Sequence, residues 1–202
     1  MTETQQEPKD FVTADLHLYH QNIIKFQNRP FKSVEEMHEV MIRNHNAIVT
    51  QNDTTYYLGD VSFGDPVATV EIFNRLNGKK ILVRGNHDKD QLIHALKKND
   101  TIRIFRDYLE LYHKPSKLVV VMMHYPILSW RNASHGSIHL HGHSHGGIDH
   151  LNTNERRMDV GVDSNNFTPL LIDDVVAKLQ KIPKPERDRD RHTSHTPSQT
   201  EQ

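Results

Sequence analysis

Residues 81–88 read Ile81-Leu82-Val83-Arg84-Gly85-Asn86-His87-Asp88. A short apolar run bounded by turn residues is the pattern of a buried strand. This one stops at a glycine and then presents an amide, an imidazole and a carboxylate in successive positions. Such residues are poor packing material, because a buried polar group costs free energy unless it finds a partner. They make sense as a site at the carboxyl end of a strand. Asn86 would serve as an oxygen ligand for a metal ion, His87 as a proton donor, and Asp88 as the group that orients His87.

Working outward, other fragments share this layout. Phe11-Val12-Thr13-Ala14 reads as a strand delivering Asp15-Leu16-His17. Residues two apart on an extended chain point to the same side, so one ion could take both Asp15 and His17. Thr54-Thr55-Tyr56-Tyr57-Leu58 ends at Gly59-Asp60, and residues 118–123 run into His124-Tyr125-Pro126. The strand at 137–141 ends at Gly142-His143-Ser144-His145.

Between the early strands lie helices. Ser33 with Glu36 three places on makes a capping box, and Val34, Met37, Met41 and Ile48 give an apolar stripe at helical spacing. Asp65-Pro66 is an N-cap and first-turn proline for a helix to about Asn77, closed by Gly78. A further short helix is expected over 90–98. Alternation of strand and helix predicts an α/β fold with its polar motifs at strand carboxyl ends, the edge where open α/β sheets bind ligands. The later chain predicts strands over 108–113 and 118–123 joined by a turn at 114–117, another over 158–162, and a last helix capped by Asp173 or Asp174 and reaching about Lys181.

The chain has 202 residues, a length for one domain with a real core. The expected organisation is a loose start over 1–9, one domain over 10–182 and a disordered polar tail over 183–202. With 25 Lys+Arg against 26 Asp+Glu, extended nucleic-acid binding through many phosphate contacts is not expected. There is no cysteine, so any metal must be held by nitrogen and oxygen; the 16 histidines are the compositional anomaly. No run resembles a signal peptide or a membrane span, which makes the cytoplasm the default expectation. Oligomeric state is not readable.

Taken as a set and in this order, Asp15-x-His17, Gly59-Asp60, Gly85-Asn86-His87-Asp88, His124 and Gly142-His143-x-His145 resemble the motifs of the calcineurin-like metallophosphoesterase superfamily. The resemblance covers roughly Phe11 to Leu171. It is strongest to the small single-domain bacterial and phage-type members, through residues 20–24 and 28–31. It implies a four-layer α/β/β/α sandwich of two mixed sheets with a dimetal site at the strand ends. It also implies two divalent transition-metal ions: Mn, Fe, Zn or Ni, with Mn the working expectation. Asp15, His17 and His145 would hold the first and Asn86, His124 and His143 the second, with Asp60 bridging. A hydroxide shared by the metals would attack phosphorus in line, and His87, held by Asp88, would protonate the leaving oxygen.

The implied substrate is a small or nucleotide-like phosphodiester, with phosphomonoester hydrolysis as the alternative within the class. A binding module on the same scaffold and a histidine-rich metal store are the readings from other classes. The protein-phosphatase branch is not expected, because residues 59–65 lack that group's Gly-Asp-x-x-Asp-Arg-Gly. His20 and Arg29, in the loop after the first motif, are candidates to touch substrate, Arg29 by gripping a phosphate oxygen or else by packing in a turn. His139 and His141 share the parity of His143 and His145, but steps of ~6.6–6.8 Å per residue pair put them out of reach of one centre. They are expected as hydrogen-bond partners of the ligands or as a polar strand face. Trp130 is expected in the core more than in a ring-sized pocket.

Overall fold

The computed structural model describes residues 7–99 and 102–184. Most of the expected loose start and nearly all of the expected tail, residues 1–6 and 185–202, lie outside the described residues.

The first half of the chain folds as predicted from its alternation. Strands β1 (Asp10–Thr13), β2 (Thr54–Leu58), β3 (Lys79–Val83) and β4 (Ile102–Phe105) are parallel neighbours. Parallel strands need long crossovers, and these are supplied by α1 (Ile23–Phe26), α2 (Val34–Ile48), α3 (Pro66–Arg75) and α4 (Asp90–Lys97). The second half forms β5 (Leu109–His113), β6 (Leu118–Met122), β7 (Ile138–His141) and β8 (Arg157–Asp159), then β9 (Leu170–Leu171) and α5 (Ile172–Leu179). β9 returns to the first sheet and pairs antiparallel with β1, giving the order β4-β3-β2-β1-β9. The second sheet runs β5-β6-β7-β8, antiparallel at its first pair and parallel thereafter. Two mixed sheets with five helices make this an α/β sandwich.

Side-chain alternation explains the layers. Tyr57 and Leu82 face α2–α4 in one apolar core with Met37, Met41, Phe73 and Leu96. Val12, Tyr56, Leu58 and Val83 face the other way, meeting Val120, Met122, Ile138 and Leu140 of the second sheet, with α5 closing the side. The outer face of the second sheet carries Val121, His139 and Arg157 in register. There the cover is irregular chain: Ile127 bonds both His139 and Arg157, and Trp130 packs on His139.

Several local expectations are met with differences. Ser33 Oγ caps α2 by accepting from Glu36 N, and Asp65 Oδ1 accepts from Val67 N and Ala68 N. The buried stripe of α2 does not extend to Ile48, which is exposed; it continues through Ile42 and His45 instead. The α5 helix starts earlier than expected and has no side-chain cap. Asp173 sits in its first turn, where negative charge suits the helix dipole, and bonds His113 Nε2 at 2.8 Å. The short elements α1, β4 and β9 had no counterpart in the sequence reading.

Candidate metal centre

Every motif strand ends at the same edge, and the backbone there is unusual. Asp15, His17, Asp60, His143 and His145 all have φ between 47° and 68°, in the left-handed region. L-residues with side chains adopt it at a cost of order 1–3 kcal/mol each, and such residues cluster at functional sites. This also corrects the expectation that Asp15 and His17 converge as alternate residues of an extended strand. The chain has left β1 by then, and alternating left-handed residues aim the two side chains together. His17 N donates to Asp60 O at 3.0 Å and Asp15 N to Gly59 O at 3.1 Å, tying the first loop to the second.

Two glycines permit the close approach of loops. A Cβ on Gly85 would lie 2.3 Å from Asp60 Oδ1, and one on Gly59 would lie 2.6 Å from the Gly85 backbone. Gly59 also has φ +87°. Any side chain at either position would separate the loops that carry Asp60 and Asn86.

The side chains form two clusters. Potential ligand atoms of Asp15, His17 and His145 lie within 4.8 Å of one another, and so do those of Asp60, His124 and His143. Asp60 Oδ2 stands between them, 3.8 Å from His17 Nε2 and 3.5 Å from His124 Nε2. Asn86 Oδ1 is 2.9 Å from His124 Nε2. His20 lies beside the first cluster, its Nδ1 3.2 Å from His17 Nδ1. His87 projects at the rim, with Nε2 4.0 Å from Asp60 Oδ2.

The electrostatics of these clusters suit cations. Asp15 Oδ1 and His17 Nε2 are buried without a hydrogen-bond partner. His124 Nδ1 faces Leu58 O at 2.8 Å, which makes it the donor and turns the Nε2 lone pair toward Asn86 Oδ1 and Asp60 Oδ2. Three electron-rich atoms facing one another repel unless a cation or a proton on Nε2 lies among them, and against burial the Asp60 carboxylate raises the pKa of the His124 imidazole. Burial pushes the Asp15 carboxyl up to about 7 against the pull of His145 and His124. Burial likewise drives His17 down to about 3, helped by His145. A neutral imidazole is the form that ligates metal. The donor set is three or four nitrogen and oxygen atoms per cluster, so the residues fit metal binding.

One assigned role needs correction, and one open alternative is decided. Asp88 does not touch His87. Its Oδ2 accepts from Gly85 N (2.8 Å) and Asp60 N (3.0 Å), and its Oδ1 from Val61 N (3.0 Å). Buried beneath the loops, it gathers three backbone N–H groups and clamps the second motif to the third. Of the two expectations for Arg29, packing is the one its contacts fit, and it does not reach toward substrate. It is buried, and its donors go to Asp163 (Nε 2.7 Å, Nη2 2.8 Å), Leu16 O (2.9 Å), Asp15 O (2.9 Å) and Met37 Sδ (3.3 Å). A desolvated guanidinium needs all of these partners, and none of its donors is left for a phosphate.

Asp163 and Asp159 were not singled out from sequence. Asp163 Oδ2 accepts from His145 Nδ1 at 2.6 Å, which orients that ring and leaves Nε2 free. The Arg29 and His145 donors outweigh burial and hold Asp163 below the usual carboxylate range. Asp159 accepts from Ser144 Oγ (2.7 Å) and Gly146 N (3.0 Å), setting the loop that carries His143 and His145. The signal for Asp159 was an acid at the end of an apolar run, the layout of the other motifs. Asp163 had no such signal. His139 and His141 are fully buried on the outer face of the second sheet. Their bonds go to Val121 O, Ile127 N, Gly142 O and Asn152. Trp130 is buried beside His139. Among the described residues, no helix is long and apolar enough to cross a membrane.

Comparison with known proteins gives relatives of similar length. The chain is 32% identical over 181 residues to the uncharacterized protein MJ1445 of Methanocaldococcus jannaschii, a match covering 86% of this chain and 92% of that protein. It is 24% identical over 181 residues to the Gene 66 protein of Mycobacterium phage L5, covering 75% and 85% respectively. Among solved structures, the protein of unknown function AQ665 from Aquifex aeolicus is 26% identical, with a TM-score of 0.68 over 85% of this chain and 100% of that one. A structure described as a novel archaeal phosphodiesterase is 22% identical with a TM-score of 0.41 over 67% of this chain and 72% of its own. No family model matches the chain.

Proposed function

The chain belongs to the same family as protein MJ1445 of Methanocaldococcus jannaschii, and from the geometry of its site we propose that it is a dinuclear metal-dependent phosphoesterase of the calcineurin-like kind. The substrate is a phosphodiester of small or nucleotide-like size. The observation that carries the proposal is Asp60 Oδ2 standing 3.8 Å and 3.5 Å from imidazole nitrogens of two adjacent three-residue clusters. A carboxylate so placed is suited to bridge two cations, which lie ~3.5–4 Å apart in two-metal hydrolases.

Asp15, His17 and His145 would hold one ion, and Asn86, His124 and His143 the other, with Asp60 shared. Manganese is favoured among Mn, Fe, Zn and Ni. When bound, such ions supply Lewis-acid charge for a phosphoryl group and a water nucleophile ionised at neutral pH. The chain's own residues do the rest. Leu58 O and Asp163 hold the tautomers of His124 and His145, while Asp88 keeps the Asp60 and Asn86 loops at their separation. As water adds to phosphorus, the bond from phosphorus to the leaving oxygen breaks, and His87 Nε2 gives that oxygen a proton. Acid assistance of this kind contributes ~10²–10⁴-fold. His87 has the access for it: its side chain is about half exposed, at the rim beside Asp60.

The test compares bis-p-nitrophenyl phosphate with p-nitrophenyl phosphate under added Mn²⁺, with Asp60→Asn as control. Diester turnover that vanishes in the variant supports the proposal. Preference for the monoester moves the assignment to a phosphatase. Tight binding of two ions without turnover of either ester contradicts it in favour of a binding module.

A further inference from the structure

We propose that the cavity lined by Phe63, whose ring packs against His87, is a leaving-group pocket that takes a nucleotide unit, a flat ring carrying an anionic group. The inference rests on the phosphoesterase reading and adds the class of group that departs. The cavity is about 100 Å³ and is lined on one side by Ser62, Phe63, Gly64 and the first residue of α3, Pro66, and on the other by Lys89 and by Gln91 and Leu92 of α4. These stretches continue directly from Gly59-Asp60 and from His87-Asp88. Phe63 links the cavity to the site, its ring centroid lying 4.7 Å from that of His87, the residue that would hand a proton to the leaving oxygen.

Its chemistry is specific. Phe63 is 38% exposed although its ring is packed against histidines, with centroids 4.2 Å from His20, 5.1 Å from His17 and 4.7 Å from His87. A phenyl ring left open to solvent at the mouth of a polar site, and held there by three contacts, is a preformed surface for another flat ring. Pro66 adds apolar surface beside it. The Gln91 amide offers both a donor and an acceptor for the polar edge of a heterocycle. Lys89 is exposed, and no ion pair engages it among the described residues. Its neighbour Asp90 is paired with Arg84 at 2.7 Å. The lysine is thus a free positive charge one residue past Asp88, placed to meet an anion on the departing group. An apolar cavity of ~150 Å³ accepts benzene, so this smaller and open one suits a single ring partly seated.

The test uses binding as well as turnover. Metal-free protein in EDTA is titrated with uridine 5′-monophosphate and with ribose 5-phosphate, using calorimetry, for the wild type, Phe63→Leu, Lys89→Gln and Gln91→Ala. The expected result is nucleotide binding about tenfold tighter than sugar phosphate, the size of effect a ring contact gives. Phe63→Leu should remove most of that preference, and Lys89→Gln should weaken both ligands severalfold. With Mn²⁺ present, Phe63→Leu should raise KM for a dinucleotide more than it lowers kcat. Equal binding of the two ligands, or variants that leave both affinities unchanged, overturns the pocket. If bis-p-nitrophenyl phosphate is still cleaved in that case, the phosphoesterase reading stands. Ring-dependent binding without metal-dependent cleavage of any phosphoester overturns that reading instead, and with it the leaving-group role.

Discussion

Asp163→Asn is the substitution that most directly probes how the centre is held. Asp163 accepts two bonds from Arg29 (2.7 and 2.8 Å) and one from His145 Nδ1 (2.6 Å). The change is nearly isosteric, so packing is preserved and only charge and hydrogen-bond polarity are altered. Arg29 would stay buried with its counter-charge gone, a situation that costs roughly 3–5 kcal/mol. The lower end applies, because Arg29 keeps its bonds to Leu16 O and Asp15 O. For a domain of this length about 3 kcal/mol lowers Tm by roughly 6–12 °C. The second effect is on His145. If the new amide turns its oxygen to Arg29, its NH₂ faces Nδ1, which must then accept. The ring proton moves to Nε2, the atom that would ligate the metal, and affinity should fall about 10–100-fold. Thermal melts in EDTA read the first effect, and metal titration against a competing chelator reads the second. A Tm within about 2 °C of wild type, together with unchanged metal affinity, would refute the reasoning.

Three further outcomes are expected. Burial holds His45 down to about 4, against the bond it makes to Asn77 O at 3.0 Å. Its unfolded form takes up a proton near pH 6.5, so its contribution is whole above that pH and is lost as pH falls toward 4. The loss is about 3 kcal/mol, and His45→Gln should flatten that part of the urea-stability profile; an identical profile would count against it. Asp88→Ala leaves three buried N–H groups unsatisfied, at about 1–3 kcal/mol each, and amide exchange at Gly85, Asp60 and Val61 should accelerate; unchanged protection would contradict the clamp. Ser33→Ala removes the α2 cap and should cost about 1 kcal/mol with metal binding unaffected, as denaturant melts and a metal titration would show.

The parts of the molecule readable in sequence were those written into contiguous residues. An apolar run followed by Gly85-Asn86-His87-Asp88 announces a strand and the turn after it, and four other runs repeated the message. The helices carried their own start signals at Ser33 and Asp65. The supports of the site were hidden because they are long-range. Arg29 and Asp163 are 134 positions apart, and nothing local marks a buried ion pair. Asp88 reads as a partner for its neighbour His87, yet its bonds run to Asp60 and Val61 in a different loop, since the strand order brings β2 beside β3. The left-handed conformation of Asp15, His17 and Asp60 is also invisible in composition. None of them is the glycine that such geometry prefers, and the surrounding loops impose it. Two-residue β9 falls below the length at which periodicity carries a signal.

The most direct test of the central claim is hydrolysis of bis-p-nitrophenyl phosphate by protein stripped of metal and then titrated with Mn²⁺. The rate should be nil without metal, rise to saturation at two equivalents, and be lost in Asp60→Asn at the same metal concentrations. A protein that binds the ions yet leaves the diester intact at every stoichiometry, or one whose rate is unaffected by Asp60→Asn, would contradict it.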